Sequence, residues 1–381
     1  MKSEIITLLR QRGTYVSGQE LCERFGVSRT AVWKAVEQLK KDGYQIEAVK
    51  NRGYLLKEDA TRVFGRTELE SRIKTDRIGQ TLYYYDSIDS TNIQAKRLAE
   101  EGAPDGTVVV ANQQSAGRGR RGRGWVSPAG TNLYFTLLLR PHIAPDRASM
   151  LTLVMALAVA QGIQATMNET LSEGTQATMD ESRPNEMQAT MDESRLNGMQ
   201  TIVDKTLPNS MQATKMKDAK LGVGIKWPND IVINGRKACG ILTELSLSVE
   251  QGSIDYLVIG VGINVARQEF PAELQGHAIA LDEVANRPIS RSELLNAVLT
   301  AFEADYGDFL ATMDLTRLKG KYDALLVNYG RQVRVLDPKG EYDGIARGVQ
   351  TTGELIVELP DGNTKDVYAG EVSVRGIYGY V

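Results

Sequence analysis

The stretch Gly117-Arg118-Gly119-Arg120-Arg121-Gly122-Arg123-Gly124 interleaves four arginines with four glycines in eight residues. Glycine lets a backbone approach a ligand closely, and arginine offers a planar, permanently charged donor to phosphate or carboxylate. Apolar runs at Thr107–Ala111 and Asn132–Leu139 predict a strand on each side of it. The stretch is therefore predicted to be a loop that is mounted on a sheet and orders over an anionic ligand.

A basic, glycine-rich RNA-binding or disordered tract would have the same composition. The position of this short loop between two predicted strands argues against that alternative. The stretch matches neither GxxxxGK[ST] nor GxGxxG, so it is not one of the common phosphate-binding loops. Trp125 follows it directly and offers a flat face to a base or an apolar ring.

Further polar blocks lie at the ends of predicted strands in the centre of the chain. Ser90-Thr91-Asn92 precedes a predicted helix, so free backbone N–H groups are expected there, although a plain N-cap explains the same residues. Lys226-Trp227-Pro228-Asn229-Asp230 predicts a turn between two strands, and Lys237–Leu242 follows a hairpin turn. A long apolar strand runs into Gly260-Val261-Gly262-Ile263-Asn264. The two lysines are expected to place positive charge beside a phosphate.

Residues 1–65 predict a winged helix-turn-helix. Helical periodicity covers residues 2–12, a second helix follows the N-cap Ser17, and a third begins after the N-cap Ser28. A β-hairpin wing is predicted over residues 44–56. The expected base contacts are Ser28, Arg29, Thr30 and Lys34, and the expected phosphate contacts are Lys40, Lys41, Lys50 and Arg52. A winged helix used for protein contacts, with solvated lysines, is the alternative.

The charge is uneven along a chain of 381 residues with formal net charge −3. Residues 1–65 hold 12 Lys+Arg against 8 Asp+Glu, and the remainder holds 33 against 40. A basic segment on an acidic body favours an attached nucleic-acid-binding module. Two cysteines and two histidines, all far apart, argue against a zinc site or a Ser-His-Asp triad. No apolar run reaches about 18 residues and no signal core is seen, so a cytoplasmic protein without a membrane span is expected.

Residues 164–217 contain a repeat with a period of 12 residues, which begins with Gln164-Ala-Thr-Met. The period is too short for a solenoid. The segment follows a predicted helix over Ser149–Ile163, and its polar composition predicts a mobile surface insertion. Because loop entropy grows slowly with length, such an expansion is tolerable. A partner-binding role is the alternative.

The order of the blocks around Ser90, Gln114, Lys226, Lys237 and Gly260 resembles that of the biotin–protein ligases. With the winged helix, the chain is similar to the members of that family that also repress biotin operons. The resemblance covers almost the whole chain apart from about residues 164–217. It implies an α+β multidomain fold: a winged helix-turn-helix over 1–65, a catalytic α/β domain like that of class II aminoacyl-tRNA synthetases over 66–328, and an SH3-like β-barrel over 329–381.

The resemblance also implies roles for individual residues. The biotin pocket would be lined by Ser90, Thr91, Asn92, Gln114, Arg118, Gly119, Arg120, Lys237, Gly240 and Gly260, with Gly262 as a further backbone wall. The adenylate would meet Arg121, Arg123, Trp125, Asn229, Asp230 and Asn264. Arg118, Lys237 and Lys226 would be the catalytic residues, and a Mg²⁺ ion would lie near Asp230.

The implied reaction joins biotin to ATP as biotinyl-5′-AMP and then transfers the biotinyl group to a lysine of a carrier protein. The arginine-glycine loop would shield the anhydride from water. Biotinyl-5′-AMP would also act as co-repressor by promoting a homodimer on operator DNA. A lipoate or octanoyl transferase of the same fold, and a ligand-sensing regulator without ligase activity, are the rival interpretations.

Overall fold

The computed structural model describes residues 1–57, 63–176, 222–248, 252–337, 340–368 and 373–376, with side chains except at 169–176 and 373–376. Most of the 12-residue repeat therefore lies outside the described residues. The prediction of a mobile surface insertion is not tested for that part.

The N-terminal segment is a winged helix-turn-helix, as predicted. Helices α1 (Lys2–Arg12), α2 (Gly18–Phe25) and α3 (Arg29–Lys41) precede an antiparallel hairpin of β1 (Ile46–Val49) and β2 (Gly53–Leu56). Both serine caps form: Ser17 accepts from the Glu20 backbone N–H and Ser28 from that of Ala31. The three helices enclose a core of their own apolar residues.

The central part is built on a sheet of seven strands among the described residues. The sheet order is β3-β4-β5-β9-β8-β7-β6, and only the β3–β4 pair is parallel. In chain order the elements are α4 (Arg66–Arg72), β3 (Leu82–Tyr85), α5 (Thr91–Glu100), β4 (Thr107–Ala111), β5 (Leu133–Leu139), α6 (Met150–Gln176), β6 (Val223–Lys226), β7 (Asp230–Ile233), β8 (Arg236–Leu247), β9 (Ile254–Ile263), α7 (Leu281–Ala285), α8 (Arg291–Thr312) and α9 (Lys319–Leu325).

Different helices pack on the two faces of this sheet. Helices α6 and α8 pack on one face, where Phe135, Leu137 and Ile259 are fully buried. Helix α5 packs on the other face against Leu138 and Val258. Because side chains alternate along a strand, Thr136, Gly260 and Gly262 share the α5 face. Thr136 and Gly260 lie beneath the first turn of α5, whereas Gly262 lies beyond it, beneath Trp125.

Helix α6 is longer than predicted. The prediction ended it at Ile163 and began the insertion at Gln164, but the helix continues to Gln176. Thr166 and Met167 are buried, so the first copy of the repeat extends the apolar side of the helix. The segment Pro145–Asn168 is long and apolar enough to cross a membrane by composition, yet 78% of its most apolar window is buried. Its apolarity is thus explained by the core.

The C-terminal part is a second, antiparallel sheet of order β13-β12-β11-β10-β14. Its strands are β10 (Gln332–Leu336), β11 (Tyr342–Val349), β12 (Leu355–Glu358), β13 (Thr364–Val367) and β14 (Ser373–Gly376). The sequence predicts a strand over Val367–Ala369, but β13 ends at Val367 and begins three residues earlier, where exposed polar residues give no apolar signal; Ala369 lies outside the described residues. Strand β14 was not predicted. Closure into a barrel stays a prediction, as do the limits of the three domains.

Candidate active site

A polar floor forms where the first turn of α5 meets the sheet. The buried Thr136 hydroxyl donates to Oδ1 of Asn92 (2.7 Å) and lies 2.8 Å from the Thr91 hydroxyl. Thr136 pairs in register with Gly260 on the next strand. A Cβ at Gly260 would stand 1.9 Å from Asn92 Oδ1. Only glycine therefore lets the start of α5 lie this close to the strands.

The backbone N–H groups of Ser90 and Thr91 are not free, contrary to the prediction. Asp89 Oδ1 accepts from Ser90 N (2.7 Å), and Gln114 Oε1 accepts from Thr91 N (2.9 Å). The two carbonyl-type oxygens satisfy the donors that a helix start leaves open. Gln114 in turn donates to Ser127 Oγ at 3.0 Å. Gln114 thus fastens the arginine-glycine loop to the start of α5.

Glu244 on β8 belongs to the same floor and was not predicted. Asn92 Nδ2 donates to Glu244 Oε2 (2.8 Å), and Lys96 Nζ lies 2.6 Å from Oε1. Burial alone would raise the pKa of Glu244, but the bonds from Asn92 and Lys96, with the charges of Lys96 and Arg118, hold it below its ordinary value. No sequence signal marks Glu244, because β8 also carries Lys237, Thr243 and Ser246 among its apolar residues.

The arginine-glycine loop folds as a small hairpin. Arg118 bridges to Gly124, Gly119 N donates to Arg123 O (2.7 Å), and Trp125 N donates to Gly117 O (2.9 Å). Arg118, Arg121 and Arg123 are exposed, whereas Arg120 is half-buried and donates to Asn229 Oδ1 at 2.8 Å. Burial lowers the pKa of Arg120, against the opposing charge of Asp230. Arg120 therefore joins the loop to the turn after β6.

Trp125 lies across a pair of glycines on the sheet. Gly240 and Gly262 face each other on β8 and β9. A Cβ on either one would come within 2.9 Å or 2.6 Å of the indole. The indole Nε1 is buried and has no hydrogen-bond partner among the described residues. Since an unpaired buried donor costs about 1–3 kcal/mol, this is a place where a ligand acceptor would be stabilised.

Cationic groups meet beside this tryptophan. Lys237 Nζ lies 2.6 Å from Asp230 Oδ1 and 5.5 Å from the centroid of the Trp125 ring. Lys226, which pairs in register with Asp230, is 8% exposed. Asn229 donates to the Ile241 carbonyl (3.0 Å), and buried Asn264 lies against the backbone of Lys237. The structure thus brings together residues from four separate sequence blocks.

These neighbours define what the site accepts chemically. Glycine backbones and an indole provide flat, apolar surface, while Arg120 and Lys237 provide positive charge at one end. A ligand with an apolar body and an anionic group fits this combination. Among the described residues no three His, Cys, Asp or Glu side chains are grouped to hold a metal. Asp230 is already paired with Lys237, so these residues do not fit a resident Mg²⁺ ion.

A second surface lies on the winged helix. Arg29, Thr30 and Lys34 are exposed on α3, and Lys50 and Arg52 are exposed on the wing. Arg29 donates to Gln19 Oε1 (3.0 Å), and the Arg52 guanidinium lies 4.8 Å from the Tyr15 ring centroid. Lys40 is paired with Glu37 at 3.0 Å. The predicted base and phosphate contacts thus lie at the start and middle of α3 and on the wing, whereas Lys40 and Lys41 lie in the last turn of α3.

Comparison with known proteins gives matches along the whole chain. Residues 84–264 match the biotin/lipoate A/B protein ligase family, residues 2–55 an HTH domain, and residues 329–375 the biotin protein ligase C terminal domain. The bifunctional ligase/repressor BirA of Bacillus spizizenii is 34% identical over 377 residues, covering 98% of each chain. That of Escherichia coli is 27% identical, covering 98% of this chain and 96% of its own. A solved biotin protein ligase from Aquifex aeolicus, in complex with biotin and ATP, has a TM-score of 0.54 and 28% identity and covers 78% of this chain and 99% of its own.

Proposed function

Because the chain belongs to the family of bifunctional biotin ligase/repressors, we propose how its residues carry out the two activities. The chain is an ATP-dependent biotin–protein ligase that also acts as a repressor through its helix-turn-helix. The residue roles below are our assignment. They rest on one observation: the side chains of Lys237, Asp230, Arg120 and Trp125 lie close together next to the Gly240–Gly262 pair.

In the first half-reaction, a carboxylate oxygen of biotin attacks the α-phosphorus of ATP. A new P–O bond forms, the bond to the β-phosphate oxygen breaks, and pyrophosphate leaves. Lys237 and Arg118 contact the carboxylate and the α-phosphate, and Lys226 adds positive charge on the nucleotide side. Fixed donors of this kind stabilise the charge that builds up at phosphorus, and one donor is worth about 3–4 kcal/mol.

The other residues bind and orient the substrates. The floor of Ser90, Thr91, Asn92, Gln114, Gly119 and Gly260 receives biotin, with Gly240 beneath it. Trp125, Asn229, Asp230 and Asn264 lie toward the nucleotide. Arg120, Arg121 and Arg123 keep the hairpin over the anhydride and exclude water. Any Mg²⁺ ion would be held chiefly by the ATP phosphates.

In the second half-reaction, the uncharged amine of a carrier lysine attacks the carbonyl of biotinyl-5′-AMP. The amide bond forms, the bond to the AMP oxygen breaks, AMP leaves with the electron pair, and the amine releases one proton to solvent. No covalent intermediate with the enzyme is required. The carrier is the biotin domain of a carboxylase, and we propose that the protein acts in the cytoplasm, where carrier, ATP and DNA meet.

Incubation with ATP, a biotin carrier domain, and biotin and lipoate at equal concentration tests the substrate. We expect the carrier mass to increase by one biotinyl group. An increase by a lipoyl group would favour the rival transferase. An unchanged carrier, with no pyrophosphate released, would favour a ligand-sensing regulator.

For repression, we propose that biotinyl-5′-AMP orders the site so that two chains pair around a two-fold axis and read a palindromic operator. Its test is a gel shift with operator DNA in the presence and absence of biotin plus ATP. We expect tighter binding with both ligands and a dimer in sedimentation. Equal binding under all conditions would contradict the co-repressor role.

A further inference from the structure

The exposed side of α3 carries a residue that the assigned DNA contacts leave out. Val32, Ala35, Val36 and Leu39 point into the core of the winged helix. Trp33 points the other way and is 54% exposed. It lies one helical turn after Arg29, so these two side chains share a side of the helix.

Trp33 is not part of the core of the winged helix. The core of the winged helix closes without it, and apart from Met1 it is the large hydrophobic residue that segment 1–57 leaves exposed. Leaving such a side chain partly in water forgoes hydrophobic free energy that its burial would provide. An apolar contact with a partner would recover that free energy.

The surroundings identify the partner as duplex DNA. A groove between the start of α3 and the wing is lined by Ser17, Gln19, Arg29, Lys50, Asn51 and Arg52, and no carboxylate lines it. Arg29 and Arg52 are held in place by Gln19 and Tyr15. A positive groove beside an exposed helix matches the phosphates that flank a major groove.

We propose that Trp33 reads a thymine in the major groove through its C5-methyl group. That methyl is the apolar feature that a base pair presents there, and the indole is the apolar feature that α3 presents beside its cations. The proposal rests on the DNA-binding function proposed above and assigns to Trp33 the choice of thymine at one position of each half-site.

The test uses the full chain with biotin and ATP. A random-sequence duplex pool is selected on the wild-type protein, and each thymine of the selected duplex is then replaced singly by deoxyuracil, which lacks only the methyl. Because one buried methyl is worth about 0.8 kcal/mol, we expect about fourfold weaker binding at one thymine per half-site. Trp33→Ala should bind the thymine and deoxyuracil duplexes equally.

Two controls separate this proposal from its alternatives. Gln38→Ala, on the same helix but paired with Asp42, should keep the fourfold difference. Trp33→Ala should keep wild-type ligase activity, which shows that it folds. The proposal is overturned if no thymine distinguishes wild type from Trp33→Ala, or if the variant loses only dimerisation. Failure to select any duplex would instead contradict DNA binding itself.

Discussion

One hydroxyl, that of Thr136, holds together the start of α5 and the central strands. It donates to Asn92 and touches Thr91, and Asn92 reaches Glu244 on the far side. These bonds are buried or half-buried, so a group that loses its hydrogen-bond partner here lowers the stability of the fold. The shape of the floor proposed to bind biotin therefore depends on a residue that no sequence motif marks.

Thr136→Val tests that dependence at the scale of one residue. Valine has nearly the same shape but leaves Asn92 Oδ1 without its donor. We expect the free energy of unfolding to fall by about 1–3 kcal/mol and the KM for biotin to rise several-fold in a pyrophosphate-release assay.

Thr152→Val is the matched control, because Thr152 shares a 2.8 Å hydroxyl contact with Thr243 on the opposite face of the sheet. It should leave the KM for biotin unchanged. Equal KM values for both variants would show that the Thr136 hydroxyl has no part in the floor.

At the scale of an element, the glycines at the two ends of the arginine-glycine hairpin differ in how closely other atoms approach them. A Cβ at Gly117 would stand 2.3 Å from the Trp125 carbonyl and 2.7 Å from Ser127 Oγ. At Gly124 it would meet nothing within 4 Å. The two positions bracket the same loop and differ in this crowding.

Gly117→Ala is expected to open the hairpin and move Trp125 off the glycine pair. Adenylate formation should then fall at least tenfold, as measured by pyrophosphate release from biotin and ATP, whereas Gly124→Ala should stay within about twofold of wild type. A tenfold loss in both variants, or in neither, would contradict a closed hairpin as the working form of the loop.

Elements with a strong apolar period or a cap could be predicted from the sequence. The helices after Ser17 and Ser28 begin where their caps indicate, and the strands beside the arginine-glycine loop are apolar throughout. The end of α6 could not, because Thr166 and Met167 of a polar repeat become buried only through tertiary packing.

The residues of the candidate site likewise fall into two groups, those that sequence motifs could identify and those that they could not. Arg120, Asn229, Asp230 and Lys237 stand in recognisable blocks, and the structure brings them together. Thr136, Glu244 and Lys96 lie in ordinary strand or helix contexts. Their role comes from the register of the sheet and the approach of α5, which single-residue patterns do not encode.

At the scale of the whole molecule, Glu68 joins the winged helix to the ligase body. Its side chain is 1% exposed. It accepts from Arg10 of α1 (3.0 Å), from Tyr44 before the wing (2.9 Å) and from Arg72 of its own helix (2.7 Å). Burial alone would raise the pKa of Glu68, but Arg10, Arg72 and Tyr44 hold it below its ordinary value.

Glu68→Gln is expected to lower the free energy of unfolding by about 3–5 kcal/mol, because it leaves two arginines facing a neutral side chain. Glu70→Gln, which breaks only the more exposed pair with Arg66, should cost less than about 1 kcal/mol. Urea denaturation measures both. Similar midpoints for the two variants would contradict a special role for Glu68.

The same carboxylate predicts a pH dependence. Its pKa is lower in the folded than in the unfolded chain, so its stabilisation is complete above the ordinary glutamate pKa of about 4.3 and is lost as the pH falls through the folded value. Between about pH 5 and pH 3, the melting temperature of the wild type should fall more than that of Glu68→Gln. Parallel curves would show that Glu68 contributes no such linkage.

The most direct test of the central claim is the rate of biotinyl-5′-AMP formation in a single turnover with biotin and ATP, without carrier. Lys237→Ala and Arg118→Ala should each slow it at least tenfold. Lys319→Ala, which removes a similar Lys–Asp pair on α9, should keep the wild-type rate. Unchanged rates in Lys237→Ala and Arg118→Ala would contradict the assignment of this site to adenylate formation.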